Sequence, residues 1–109
     1  MKSVHETFEA LGDETRHTVV DLLSKGPLRA SAIAASLGQT PQAMSRHLRV
    51  LRRRGLIREE GIESDARVRI YHLRHEPLQD LRRWLDQVES YWVDELSASR
   101  DHAKKRKAK

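Results

Sequence analysis

With 109 residues, a formal net charge of +5 and no cysteine, the chain has room for one domain with a modest core, and disulfides and thiolate-built zinc or arsenic sites are excluded. Hydrophobic residues make up 38% and charged residues 34%, polar for a globular chain but not polar enough for disorder; with no membrane-span-length apolar run and no signal-like N-terminus, the expected place is the cytoplasm, off the membrane. Residues 100–109 hold six basic side chains and one acid, so they carry the whole net charge, and residues 1–99 sum to zero.

Val4, Phe8 and Leu11 recur at helical spacing, which predicts a short amphipathic helix ending at Gly12. Asp13 is placed to cap a second helix that turns Val19, Val20, Leu22 and Leu23 inward and stops at Gly26-Pro27. A third helix over residues 30–37 buries Ile33, Ala34 and Leu37; Arg29 stands where a capping oxygen is wanted, leaving Ser31 as the substitute. Gly38 suits a left-handed turn, and Thr40-Pro41 starts a fourth helix. The Thr hydroxyl caps it, and Pro fits the first position because its missing N–H has no partner there. That helix runs to about residue 54, and Gly55 ends it. Residues 57–62 and 67–73 read as two strands around the tip Glu63-Ser64-Asp65-Ala66; apolar residues lie on both parities of the second strand, so the pattern does not choose its packed face. Pro77 opens a long last helix to about Leu96, and residues 98–109 are expected to be a frayed or disordered basic tail.

The fourth helix carries the clearest chemical signal. At 100° per residue, Met44, His47, Leu48 and Leu51 share one side, while Gln42, Arg46, Arg49 and Arg53 share the opposite one, flanked by Ser45 and Val50. Six arginines stand at 46, 49, 52, 53, 54 and 58 without an intervening acid, so the stripe lacks the i,i+4 pairing of an ordinary solvated face. Gln, Ser and Arg read base edges in a major groove, and later basic residues meet phosphate. The pattern therefore assigns Gln42, Ser45 and Arg46 to bases and Thr40, Arg49 and Arg53 to phosphates of double-stranded DNA.

The run Phe8-Glu9-Ala10-Leu11-Gly12-Asp13-Glu14-Thr15-Arg16, then Leu22-Leu23 and Gly26-Pro27-Leu28, resembles the opening of the ArsR family of bacterial repressors. Ile33-Ala34, Leu37-Gly38, the stretch Thr40-Pro41-Gln42-Ala43-Met44-Ser45-Arg46-His47-Leu48-Arg49-Val50-Leu51 and Gly55-Leu56-Ile57 are similar to its helix-turn-helix core, and Val68-Arg69-Ile70-Tyr71-His72-Leu73 to its second wing strand. The resemblance covers roughly residues 4–96; MarR-type winged helices share parts of it. It implies a mainly α winged helix-turn-helix domain over residues 1–97, in the order α-α-α-α-β-β-α, that dimerises through its first and last helices. It also implies binding to an imperfect inverted repeat, with Arg67 and Arg69 reaching phosphate or the minor groove from the wing. The aromatics of the last helix resemble a subgroup without a metal site.

Metal sensing is not carried over. The third helix, Ala30-Ser31-Ala32-Ile33-Ala34-Ala35-Ser36, offers no soft ligand, and residues 77–96 contain acids but no histidine. His72 and His75 are the closest pair and read more simply as a strand and a turn residue, so no metal and no cofactor is expected. On the last helix, Leu78, Leu81, Leu85, Val88, Trp92 and Leu96 recur at spacings of three and four, with Trp84 beside them. Such a seam needs a partner, either its own domain, if the helix folds back, or a second copy; the second copy is expected, with a homodimer interface of Phe8, Leu11, Leu81, Leu85, Val88 and Trp92. Two other binding classes compete. A protein-docking winged helix is disfavoured by the lack of acids on the fourth helix's outer face, and a non-specific nucleic-acid binder would act through the basic tail. For an enzyme there is no nucleophile elbow, phosphate-cradling Gly loop or zinc-hydrolase motif.

Overall fold

The computed structural model describes the backbone of residues 4–107 and the side chains of residues 4–98 other than Ala66. Helix α1 (Val4–Leu11) turns Thr7 and Ala10 into the core. Phe8, assigned to the dimer contact, is 44% exposed. The small side chains let α1 lie close on the body, and the large ring is left outside. Helix α2 (Glu14–Leu23) begins where the Asp13 carboxylate accepts from the Arg16 backbone N–H at 3.0 Å, and it buries Val19, Val20 and Leu23.

Leu28 and Arg29 form a strand, β1 (Leu28–Arg29), that the sequence did not show; two residues carry no alternation to read. It leads into α3 (Ala30–Ser36), whose start has no side-chain cap; the pairing of the preceding strand fixes the chain there instead. Gly38 takes φ 63° in the turn, a conformation that costs a glycine little. Helix α4 (Pro41–Arg53) then starts with Thr40 Oγ1 accepting from the Ala43 N–H at 3.1 Å.

Strands β2 (Ile57–Ile62) and β3 (Asp65–Leu73) form the hairpin, and the sheet order is β1-β3-β2, all antiparallel. The turn is Glu63-Ser64, shorter than the four-residue tip expected, because the ladder shifts register between Gly61 and Ile62 and pairs Ile62 with Asp65. The pairs Ile57–Leu73, Glu59–Tyr71 and Gly61–Arg69 place those six residues on one face. That face packs on the body through Ile57, Tyr71 and Leu73, which settles the choice the sequence left open. The core joins Ala10, Val19, Val20, Leu23, Ile33, Ala34, Met44, Leu48, Leu51, Leu56 and Ile57.

Helix α5 (Glu76–Lys107) is longer than predicted. The sequence reading ends it near Leu96 and leaves residues 98–109 as a frayed tail, of which residues 108–109 lie outside the described residues. The helix continues because no Gly or Pro follows Pro77, and Ala, Lys and Arg are good helix formers with cations favoured at a C-terminus. Among the described residues, its start joins the body, through Leu78 and the packing of α1 on α5. The molecule is elongated as a result, 76 × 28 × 21 Å.

Candidate nucleic-acid interface

Helix α4 has two opposed faces. Met44, Leu48 and Leu51 are buried, which holds the helix on the core and turns Gln42, Ser45, Arg46, Arg49 and Arg53 to solvent, with Thr40 exposed at its cap. The turn before it is fastened by Gln39 Nε2, which donates to Thr15 Oγ1 at 3.2 Å. His47, on the border of the apolar stripe, meets a polar junction: its Nδ1 lies 3.6 Å from Asp13 Oδ2 and 3.5 Å from Arg16 Nη1. Arg16 Nε in turn donates to the Ala10 carbonyl at 2.8 Å and Nη2 to that of Glu9 at 3.3 Å, which ties the start of α2 to the end of α1. The backbone N–H of Arg16, aided by the charges of His47 and Arg16, holds the Asp13 carboxyl below its ordinary pKa.

The arginine stripe divides in two. Arg54 is tied to α1, with Nη2 2.9 Å from Glu9 Oε2 and Nη1 3.8 Å from Glu6 Oε1, and Arg58 Nη1 lies 3.5 Å from Glu60 Oε2. Arg52 donates to Glu59 Oε2. Among the described residues, Arg46 and Arg49 make no ion pair, and both are exposed. Arg53 borders a cavity of about 330 Å³ with Glu6, Val50 and Arg54. In the wing, Arg67 is exposed and its backbone N–H donates to Asp65 Oδ1 at 2.9 Å. Arg69 is held differently: its Nε lies 3.1 Å from Glu59 Oε1.

Sequence reasoning missed Glu59. Its carboxylate joins Arg52 of α4 to Arg69 of β3, beside the Tyr71 ring; burial, and then the Glu59 charge, raises the Tyr71 phenol pKa. The one available signal was parity, since Glu59 shares the inner face of the hairpin with Arg69 and Tyr71, but only the strand register reveals it.

Of the residues predicted for a dimer contact, Leu11 packs partly on the core and Leu81 is half-buried. Phe8, Leu85, Val88 and Trp92 are exposed. Phe8 meets Trp84 edge-to-face with ring centroids 5.3 Å apart. With Tyr91 and Leu96, also exposed, these side chains make one apolar stripe along α5 with α1 at its edge. His72 and His75 border a cavity of about 250 Å³ near Lys25; His72 Nε2 is buried without a hydrogen-bond partner, 3.7 Å from Glu60 Oε1. Among the described residues, no three His, Cys, Asp or Glu side chains converge as metal ligands do, and no helix is long and apolar enough to cross a membrane.

Residues 11–60 match a helix-turn-helix domain family. Over 96 residues the chain is 31% identical to the HTH-type transcriptional regulator Rv2034 of Mycobacterium tuberculosis, covering 88% of this chain and 84% of that protein. It is 28% identical over 82 residues to the transcriptional repressor SdpR of Bacillus subtilis, covering 75% of this chain and 88% of that one. A solved ArsR-like transcriptional regulator from Rhodococcus superposes with a TM-score of 0.75 at 28% identity, over 90% of each chain.

Proposed function

The chain belongs to the ArsR-like winged helix-turn-helix regulators and is a DNA-binding regulator of transcription, and on that premise we propose that it represses as a homodimer on an inverted-repeat operator. The observation that carries this reading is the division of α4: an apolar face buried in the core and an outward face of Gln42, Ser45, Arg46, Arg49 and Arg53. Gln42, Ser45 and Arg46, in its first turns, read base edges; Thr40, Arg49 and Arg53 meet phosphate, as does Arg67 from the wing. Arg69, which the family resemblance sets beside Arg67, has its guanidinium held by Glu59 and is left out of this phosphate-meeting set.

Dimerisation supplies the second α4 that an inverted repeat requires, and the uncovered stripe of Phe8, Leu85, Val88 and Trp92, extended by Leu11 and Leu81, is the surface that supports it. The repressor role of the similar SdpR supports repression. The lysine-rich residues 100–109 add attraction to phosphate without sequence preference. The protein works by binding alone, without enzymatic chemistry, metal or cofactor, in the cytoplasm where its DNA lies.

The test compares operator with random duplex. Arg46→Ala is expected to cost about 1–3 kcal/mol on the operator and to relax the preference at one base position per half-site. Deleting residues 104–109 should weaken both duplexes by similar factors. An operator-to-random ratio that survives Arg46→Ala and collapses on tail deletion would mean that α4 is not the reader.

A further inference from the structure

The crevice between α4 and the wing has a volume of about 170 Å³ and is lined by Ser45, Leu48, Arg49, Arg52, Glu59 and Tyr71. It opens on the face assigned to DNA, since Ser45 and Arg49 belong to that face. Within it the Glu59 carboxylate accepts from Arg52 of α4 on one oxygen and pairs with Arg69 of β3 on the other. The three groups carry a net charge of +1 where two guanidiniums alone would carry +2. The Glu59 side chain is only 18% exposed, whereas each arginine is 51% exposed, so either guanidinium can swing to solvent once released. The backbone makes room for this arrangement: a Cβ on Gly61, opposite Arg69 in the ladder, would stand 2.8 Å from Arg69 Nη1.

A mobile guanidinium beside the DNA face binds any phosphate, whatever the sequence. It raises affinity for operator and random duplex alike, and it frees the wing to shift against α4. A half-buried acid at that place does the reverse. We propose that Glu59 is a specificity-determining residue, which withholds Arg52 and Arg69 from the DNA backbone and so holds down sequence-independent binding. The inference rests on the reading of α4 and the wing as the DNA face.

The test is the salt dependence of binding to a random-sequence duplex by the full chain, which does not depend on which element reads bases. Glu59→Gln keeps the side chain's shape and removes its charge. It is expected to steepen the slope of log K against log salt by up to about 1.8, at roughly 0.9 for each phosphate newly engaged, so that lowering salt from about 200 to about 50 mM raises affinity about tenfold more than in the wild type. Arg69→Ala alone should leave the wild-type slope unchanged, because that guanidinium is withheld; added to Glu59→Gln, it should remove about half of the increase. Should Glu59→Gln fail to fold, Gly61→Ala serves instead. It displaces only the far end of the Arg69 side chain, and it should steepen the slope by up to about 0.9. An unchanged slope in a folded Glu59→Gln, or a slope lowered by Arg69→Ala alone, overturns the inference while leaving the DNA reading in place. A wild-type chain with no salt-dependent duplex binding overturns both.

Discussion

Helices α4 and α5 are both amphipathic, and they use the property in opposite ways. In α4 the apolar side is covered by its own chain, with Met44, Leu48 and Leu51 at 3% exposure or less, so what reaches solvent is Gln, Ser and Arg. In α5 the apolar side is left open: Leu85, Val88, Trp92 and Leu96 are each at least 40% exposed. Burial in α4 fixes the orientation of a polar face, which suits a helix that must present side chains to a rigid duplex. Exposure in α5 leaves free energy to be gained only by association, at about 25 cal/mol per Å² of apolar surface removed from water. Folding covers the apolar face of one helix and leaves that of the other open.

Truncating the two apolar faces separately puts this contrast at risk. Leu51, fully buried, should cost about 2–5 kcal/mol of unfolding free energy on substitution by Ala, because the cavity adds to the lost transfer energy. Chemical denaturation measures it, and a loss under about 1 kcal/mol would mean that α4 is not held by its apolar stripe. Trp92→Ala acts on the other helix. It should weaken self-association by about 2 kcal/mol, as an exposed aromatic anchor does when an interface buries it, with little change in the fold of the body. Sedimentation over a concentration series checks this; an unaltered association constant would move the interface off α5.

How much of this was legible follows from the same contrast. The α4 unit was readable because its signals are local: Thr40 caps, Pro41 fits the first turn, Gly38 turns and the 3.6-residue period separates the faces. The α5 seam was readable for the same reason, but its end was not, since residues 97–107 carry neither a breaker nor a period and the basic composition that suggests fraying also propagates helix. Thr7 and Ala10 make a buried face of small residues, which gives no hydrophobic signal in the sequence. Glu59 was out of reach for a different reason. Its partners sit in α4 and β3, and the register that brings Arg69 beside it depends on a shift near Gly61. The arginine run looked uniform in sequence; folding divided it into Arg46 and Arg49, directed to solvent, and Arg52, Arg54 and Arg58, spent on ion pairs.

The smallest expected effect concerns the anchoring of α4, a polar tie between its His47 and the α1–α2 corner. Asp13 caps α2 and faces His47 and Arg16. Its pKa is lowered first by the Arg16 backbone N–H, with burial opposing and the charges of His47 and Arg16 assisting. A carboxyl whose folded pKa lies below its unfolded value, near 3.9, stabilises the fold above that unfolded value. The contribution is lost as pH falls through the lowered folded pKa. Asn at this position still caps but does not titrate. The stability advantage of the wild type over Asp13→Asn should therefore be present in full near pH 5 and shrink progressively below about pH 4. The Asp13 side chain is 37% exposed, so solvent screens the ion pairs and the titrating share stays below the roughly 1 kcal/mol of a whole N-cap. Denaturation midpoints of both proteins across that range decide the matter. A gap that stays constant down to pH 3 would mean that the cap acts as a neutral hydrogen bond and that the charge of Asp13 does nothing to seat α4.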